Sequence, residues 1–156
     1  MPLSNNLLLR RATRADIPAM SRIRLAVTEN TLSDPVRITV AMYEDFLERS
    51  GRGWVAELDG EIVGFSYADH VNASIWALFI QPGREGRGLG KALLDQATDW
   101  LFERGHERVR LTTGADTRAD RFYAARGWRR EPVGATEIAY TLARPSARAE
   151  VVSLSP

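Results

Sequence analysis

The segment that most constrains the fold is the run SIWALFIQP, from Ser74 to Pro82, which leads directly into a glycine-rich stretch. A nearly continuous apolar run of this length is typical of a β-strand that is buried on both faces. A helix-like pattern follows from Leu89 to Glu103, with apolar residues on one face and Gly105 as its terminator. Together they predict an α/β (α+β) protein with helices on both faces of a central sheet.

Patterns elsewhere in the chain predict the order β-α-α-β-β-β-α-β-α-β-β. Asp59-Gly60 lies between two alternating runs and predicts a β-hairpin. The strand, helix and strand after it predict that the fifth strand is parallel to the fourth, in a mixed, mostly antiparallel sheet of about seven strands. The other predicted elements include a strand from Leu7 to Ala12, a helix beginning at Asp16 and a helix from Val40 to Leu47.

Length and composition indicate one soluble domain. The 156 residues suffice for one sizeable core, and we assign residues 1–143 to the domain and residues 144–156 to a mobile tail. A net charge of +1 gives no reason to expect a nucleic-acid partner, and no apolar run is long enough to suggest a membrane partner. The absence of cysteine excludes disulfides and fits a reducing cytoplasm, and the start MPLSNN does not read as a signal peptide.

The stretch PGREGRGLGKALL, from Pro82 to Leu94, has the composition of an anion-binding loop. Glycines let a ligand approach the backbone, and the first N–H groups of the following helix favour negative charge. The alternative is a turn that binds nothing, but three glycines exceed what a turn requires. The loop contains three alternating glycines with basic side chains between and beside them: Gly86, Gly88 and Gly90, with Arg84, Arg87 and Lys91.

Two common phosphate-binding motifs do not fit this stretch. A nucleotide P-loop requires glycine where Glu85 stands and a hydroxyl residue where Ala92 stands. A dinucleotide-binding turn requires a third glycine where Lys91 stands, and no acidic residue ends a second strand about twenty residues later. The phosphates that this loop would bind are therefore of another kind.

Two motifs together resemble the GCN5-related N-acetyltransferases (GNAT family). The pyrophosphate loop of that family follows the fourth strand and reads Gln/Arg-x-x-Gly-x-Gly/Ala; EGRGLG matches it at Gly88 and Gly90, with Glu85 in place of Gln or Arg. DTRADRFYAARGW resembles the family's Asn-x-x-Ala-x-x-apolar-Tyr-x-x-x-Gly-aromatic helix, with Asp116 in place of Asn. The likeness in the order of elements extends from about Leu7 to Leu142.

This resemblance implies an N-acetyltransferase that transfers an acetyl group from acetyl-CoA to a primary amine by direct attack, with no metal. The end of the fourth strand would pair with the pantetheine arm, and the glycine loop would hold the pyrophosphate. Members of the family often dimerise, so a homodimer is compatible with the resemblance. The residues that it assigns to cofactor binding are Leu78, Phe79, Ile80, Arg84, Gly86, Arg87, Gly88, Leu89, Gly90, Lys91, Asp116 and Phe122.

By register with the family motif, Tyr123 is the expected acid for the leaving thiolate; its alternative role is an aromatic packed between helix and sheet. No base is assigned, because water can remove the proton from the amine. His70 and His106 are expected to lie outside the site. The acidic loop TENTLSDP favours a cationic amine, and the candidate acceptor-binding residues are Glu29, Asp34, Trp76 and Glu137.

Two functions of other classes stay open at this point. One is a non-catalytic acyl-CoA-binding sensor on the same fold, which binds the cofactor without turnover. The other is a structural or interaction module whose glycine-rich turn binds nothing. Binding of acetyl-CoA would exclude the structural module. Turnover with an amine would then exclude the sensor and indicate an enzyme.

Overall fold

The computed structural model describes residues 7–27 and 50–145. The strands in these ranges are β1 (Leu7–Arg11), β2 (Gly51–Leu58), β3 (Glu61–Asp69), β4 (Ser74–Ile80), β5 (Arg108–Gly114), β6 (Arg129–Pro132) and β7 (Glu137–Ala143). The helices are α1 (Ile17–Ala26), which follows a 3-10 turn at Arg14–Asp16, α2 (Leu89–Glu103) and α3 (Arg118–Ala125). The predicted helix from Val40 to Leu47 lies outside the described residues, as does the predicted tail apart from its first two residues, Arg144 and Pro145.

All seven strands form one sheet in the order β1-β2-β3-β4-β5-β7-β6. Neighbouring strands are antiparallel except β4 and β5, which are parallel, so the predicted mixed sheet is confirmed. The hairpin between β2 and β3 turns at Asp59 and Gly60, whose φ angles of 54° and 86° are those of the tight turn that a right-twisted hairpin favours. None of the three described helices is long and apolar enough to cross a membrane.

The sheet separates two hydrophobic clusters. The α2-side cluster is built on the predicted apolar face of α2, where Leu93, Ala97 and Leu101 are fully buried. Gly64 of β3 lets this helix lie close to the sheet, because a Cβ there would be 3.1 Å from Leu93 Cδ1 and 2.8 Å from Ile80 Cδ1. The α1-side cluster contains Ala12, Ile17, Met20, Ile23, Val55, Phe65 and Tyr67.

A β-bulge in β4 determines how the strand faces these two clusters. Tyr67 of β3 pairs with Ala77 and Ala68 pairs with Ile75, so Trp76 is an extra residue on β4. Trp76 and Ala77 therefore both pack on the α1 side, whereas Leu78 packs on the α2 side. The strands β4 and β5 pair at Ser74 and Arg110, before the bulge. After the bulge the two strands diverge.

Candidate functional site

A cavity of about 470 Å³ lies where β4 has separated from β5. The α2 and α3 helices approach each other across it, and the glycine-rich loop forms its rim. Its volume is in the range of small-molecule and cofactor sites. The residues that line it are Val27, Leu78, Phe79, Ile80, Pro82, Glu85, Gly86, Gly88, Leu89, Gly90, Lys91, Arg118, Ala119, Phe122, Tyr123 and Arg126.

Most residues with a predicted cofactor role line this cavity, and three do not. Arg84 forms an exposed ion pair with Glu61, with 3.3 Å between the guanidinium and the carboxylate. Arg87 is exposed and lies outside the cavity lining. Asp116 also lies outside it; its backbone N–H donates to a carboxylate oxygen of Asp120 at 2.8 Å, which places it at the start of α3.

The glycine loop has the backbone geometry of an anion site. Gly86 and Gly88 both have φ of 80°, in the left-handed region that residues with a side chain rarely adopt. Gly88 precedes α2, and no side chain caps the helix there. The N–H groups of the first turn thus have no intrahelical acceptor, and this positive end of the helix borders the cavity.

Gly90 allows α3 to close the other side of the cavity. A Cβ at Gly90 would lie 3.3 Å from Phe122 Cε1, closer than nearly all real contacts of this kind. The Arg126 guanidinium in turn lies 4.0 Å from the centre of the Phe122 ring and donates to the Phe122 carbonyl oxygen at 3.2 Å. This arrangement holds a cation at the cavity wall.

Tyr123 is buried, with 5% of its surface exposed, and it reaches the cavity. Its ring packs against Trp128 and Tyr140, with centroid distances of 5.4 and 5.5 Å. Burial raises the pKa of its phenol, so the hydroxyl is neutral at physiological pH. The hydroxyl has no hydrogen-bond partner within residues 7–27 and 50–145, so it is available to donate to a ligand.

Asp120 anchors the helix that carries Tyr123. Its carboxylate accepts two hydrogen bonds from Arg130, both at 3.0 Å, and one from the Tyr140 hydroxyl at 2.5 Å. It also accepts the Asp116 N–H, as described above. The bonds from Arg130 and Tyr140 are the main reason why the pKa of Asp120 is lowered far below its ordinary value. This network ties the first turn of α3 to β6 and β7.

Glu85 occupies the rim of the cavity with its carboxylate turned toward the loop. The carboxylate accepts the Gly83 N–H at 2.9 Å and lies 3.7 Å from the Arg118 guanidinium of α3. Its pKa is lowered, chiefly because it accepts its own backbone N–H and also because of the Gly83 bond and Arg118. An ionised carboxylate therefore competes for donors of the loop and for one of the arginines at the cavity.

A second cavity, of about 460 Å³, lies beside the pairing of β4 with β5, and it is lined by Asn72, Ser74, Ile75, Trp76, Arg110, Leu111 and Thr112. Along β4, Ala77 alone separates its lining residues from those of the first cavity. The Trp76 ring packs edge-on against Tyr67, with 5.2 Å between centroids. Trp76 is thus the predicted acceptor-site residue that borders a cavity.

The other predicted acceptor residues are placed as follows. Glu137 begins β7 opposite Gly114 and is exposed, and it lines neither cavity. Glu29 and Asp34 lie outside the described residues. His70 and His106, with 3.1 Å between their ring nitrogens, lie near the start of β4, whereas the first cavity lies at its other end.

Sequence reasoning missed Arg118 and Arg126 as members of the first cavity. A signal was available: together with Phe122 they recur every four residues, which places all three on one face of a short helix. It also missed Arg110 of the second cavity, since alternation along a strand does not reveal which exposed side chain borders a gap.

Comparison with known proteins places this chain in a family. Residues 17–128 match the model described as the acetyltransferase (GNAT) family. A mycothiol acetyltransferase of Clavibacter sepedonicus is 42% identical over 62 residues, covering 38% of this chain and 20% of that protein. An uncharacterized N-acetyltransferase of Archaeoglobus fulgidus is 37% identical over 90 residues, covering 51% of this chain and 61% of that protein. The chain thus spans less than two thirds of the length of either relative.

Solved structures show the same fold. The PaiA N-acetyltransferase of Thermoplasma acidophilum, crystallised with coenzyme A, superposes with a TM-score of 0.77 at 14% identity, covering 90% of this chain and 100% of that one. The putative acetyltransferase yncA of Salmonella typhimurium, crystallised with acetyl-CoA, gives a TM-score of 0.73 at 19% identity, covering 89% and 94%. Because the family model matches well over half of the chain, this protein belongs to the GNAT family of acetyltransferases.

Proposed function

We propose that this protein is an N-acetyltransferase that transfers the acetyl group of acetyl-CoA to a primary amine of a small molecule or peptide. The observation that carries the proposal is the first cavity. It brings together the free edge of β4, the uncapped start of α2 and a neutral phenol at Tyr123. Family membership supports the same activity. A cytoplasmic location stays a prediction of the sequence.

In this proposal the backbone of β4 and the glycine loop hold the cofactor. Leu78, Phe79 and Ile80 lie past the pairing of β4 with β5, so one edge of this segment is available to the amides of pantetheine, as in strand addition. The N–H groups from Gly86 to Lys91 bind the pyrophosphate at the start of α2. Arg126, held over Phe122, adds a cation at the wall.

The reaction requires the protein to supply a proton and to bring two substrates together. Acetyl-CoA supplies an activated thioester; the amine nitrogen forms the new C–N bond, the C–S bond breaks, and the amine gives its proton to water. The departing thiolate takes its proton from the Tyr123 hydroxyl, and the raised pKa of this phenol keeps that proton in place beforehand. We propose that the amine approaches through the second cavity, past Trp76; the position of that cavity next to the first one along β4 supports this route.

Two measurements test the proposal against its alternatives. Acetyl-CoA at about 100 times its dissociation constant should raise the free energy of unfolding by about 2.7 kcal/mol, measured as a thermal shift. Addition of a primary amine should then release the thiol of coenzyme A faster than hydrolysis does. Binding without release with any amine would favour the acyl-CoA sensor, and the absence of a thermal shift would favour a module with an empty loop.

Replacing Glu85 by Gln should strengthen acetyl-CoA binding. The change removes a negative charge from the rim, releases Arg118 and restores the residue type found at this position in the family motif. Since these groups are partly exposed, we expect the dissociation constant, measured by calorimetry, to fall roughly two- to fivefold. Glu61→Gln is the matched control, because Glu61 pairs with Arg84 outside the cavity. An unchanged dissociation constant for Glu85→Gln would show that Glu85 does not compete for the site.

A further inference from the structure

The second cavity lies on the side of the sheet opposite to α2. Its walls come from residues that alternate with members of the α2-side cluster: Ile75 and Leu111 are buried in that cluster, so Ser74, Arg110 and Thr112 point the other way. Trp76 reaches the same side because of the bulge. The cavity is therefore separate from the one that holds the proposed cofactor site, although both adjoin the same gap.

Its position makes it the entry for the acceptor if the proposed function is correct. The lining residues of the first cavity on β4 begin at Leu78, and those of the second end at Trp76. The lining residues of the two cavities are thus two residue steps apart along β4, roughly 6.6 Å. An amine placed here can reach the first cavity along the α1 side of β4, because Val27 and Phe79, which line the first cavity, pack on that same side.

The charged side chain that borders this cavity is Arg110. Its guanidinium is exposed and makes no hydrogen bond or ion pair within the described ranges. Its backbone N–H donates to the Ala73 carbonyl oxygen at 3.0 Å, which fixes the position of the residue beside β4. No carboxylate is among the described residues that line the cavity. The other polar groups in the lining are uncharged: the Asn72 amide and the hydroxyls of Ser74 and Thr112.

Arg110 is the cation of this face that borders the cavity. Alternation along β5 places Arg108 on the same face, and the register through Thr141 of β7 places Arg129 of β6 there as well. Glu131, Glu137 and Asp69, which pairs with Ser74, share this face, so from β3 to β6 its described part carries three arginines and three carboxylates. The Asp69 carboxylate already accepts a hydrogen bond from the Asn72 amide at 2.8 Å. The guanidinium of Arg110 is therefore the group that attracts a negative charge on a substrate in the cavity, and at short range it repels an ammonium.

We propose that the second cavity binds a primary amine that also carries an anionic group, a carboxylate or a phosphate, and that Arg110 binds this group. A guanidinium binds either oxyanion through two parallel hydrogen bonds, which would fix the direction of the rest of the substrate. The proposal rests on the proposed acetyltransferase function and names its substrate class. It differs from the cationic acceptor predicted from the loop TENTLSDP. That loop lies outside the described residues, and the proposal is argued from the second cavity alone.

The unmodified protein provides the first test. Thiol release is measured with acetyl-CoA and four amines: γ-aminobutyrate, O-phosphoethanolamine, n-butylamine and 1,4-diaminobutane. We expect kcat/KM for at least one of the two anionic amines to exceed that for n-butylamine by roughly tenfold or more, and the diamine to be the poorest. Comparison of the two anionic amines then tells a carboxylate from a phosphate. A preference for n-butylamine or for the diamine would overturn the inference.

Arg110→Gln provides the second test, with Arg108→Gln as its matched control on the same strand and face. Arg110→Gln should raise KM for the preferred anionic amine roughly ten- to a hundredfold, because a charge-assisted bond is lost, with little change in kcat. It should leave n-butylamine unaffected, and Arg108→Gln should change KM for neither amine. Equal effects of the two substitutions would show a general surface charge instead of a binding residue.

The outcomes separate the two proposals. If acetyl-CoA binds but no amine is acetylated, the acetyltransferase function itself fails. If neutral or cationic amines are acetylated and the Arg110→Gln enzyme retains the parent KM, only the assignment of an anionic acceptor fails. An unchanged thermal shift with acetyl-CoA verifies that each variant is folded, and if Arg110→Gln does not fold, the comparison of amines in the unmodified protein decides alone.

Discussion

Replacing Tyr123 by Phe should lower kcat for amine acetylation by on the order of a hundredfold, the usual contribution of a positioned general acid. The substitution removes only the hydroxyl, which borders the cavity, and keeps the ring that packs on Trp128 and Tyr140. The dissociation constant of acetyl-CoA and the melting temperature should therefore stay close to those of the unmodified protein. Thiol release at saturating acetyl-CoA measures the loss in kcat.

The pH dependence adds an independent check on this role. An acid must carry its proton, and burial raises the pKa of Tyr123 above its ordinary value near 10. The rate of the unmodified enzyme should thus show no decline from ionisation of this phenol up to about pH 10. A Tyr123→Phe enzyme with a kcat within about threefold of the parent would assign Tyr123 to packing, and the thiolate would then take its proton from solvent.

Of the substitutions described, Asp120→Ala should lower the free energy of unfolding most, by about 3 kcal/mol. The change removes the carboxylate that the Tyr140 hydroxyl, the Asp116 N–H and Arg130 share, and it leaves the Tyr140 hydroxyl with the Asp120 carbonyl oxygen, at 2.8 Å, as its acceptor. Because the Arg130 side chain is 41% exposed and can turn to water, we place the loss at the low end of the range for broken buried pairs. Urea unfolding measures it, and Asp95→Ala, which breaks the exposed pair with Lys91, should cost less than about 1 kcal/mol.

The contribution of Asp120 should also depend on pH in a defined direction. Its pKa is lower in the folded protein than in the unfolded chain, where it is near 4. The stabilisation is therefore complete above about pH 4 and is lost as the pH falls toward the folded-state pKa. The difference in stability between the parent and Asp120→Ala should accordingly shrink in acid. A difference that is the same at pH 7 and pH 3 would show that the carboxylate is not the stabilising group.

Much of the frame around the first cavity could be predicted from local patterns. The bounds of α2 agree with the prediction at both ends, because an apolar stripe of four turns and the glycines at its two ends are local signals. Asp59-Gly60 predicted the hairpin for a similar reason, since two adjacent residues with positive φ suffice to define the turn.

What could not be predicted depends on pairing between distant segments. Arg126 reaches the cavity only because α3 docks against Gly90, and the acceptor role of Asp120 requires Arg130 and Tyr140 from two other strands. Glu85 was visible as a departure from the family motif. Its position became clear only with the turn at Gly83 and the neighbouring Arg118, since neither contact leaves a trace in residue spacing.

The extra residue in β4 changes which side of the sheet the residues after it face. In a regular strand Trp76 and Leu78, which are two residues apart, would lie on the same face of the sheet. The bulge instead places Trp76 on the α1 side and Leu78 on the α2 side, so that residues of this one strand line both cavities. If the proposed function is correct, acetyl-CoA and the amine would contact neighbouring stretches of one strand, and both could be bound at the same time.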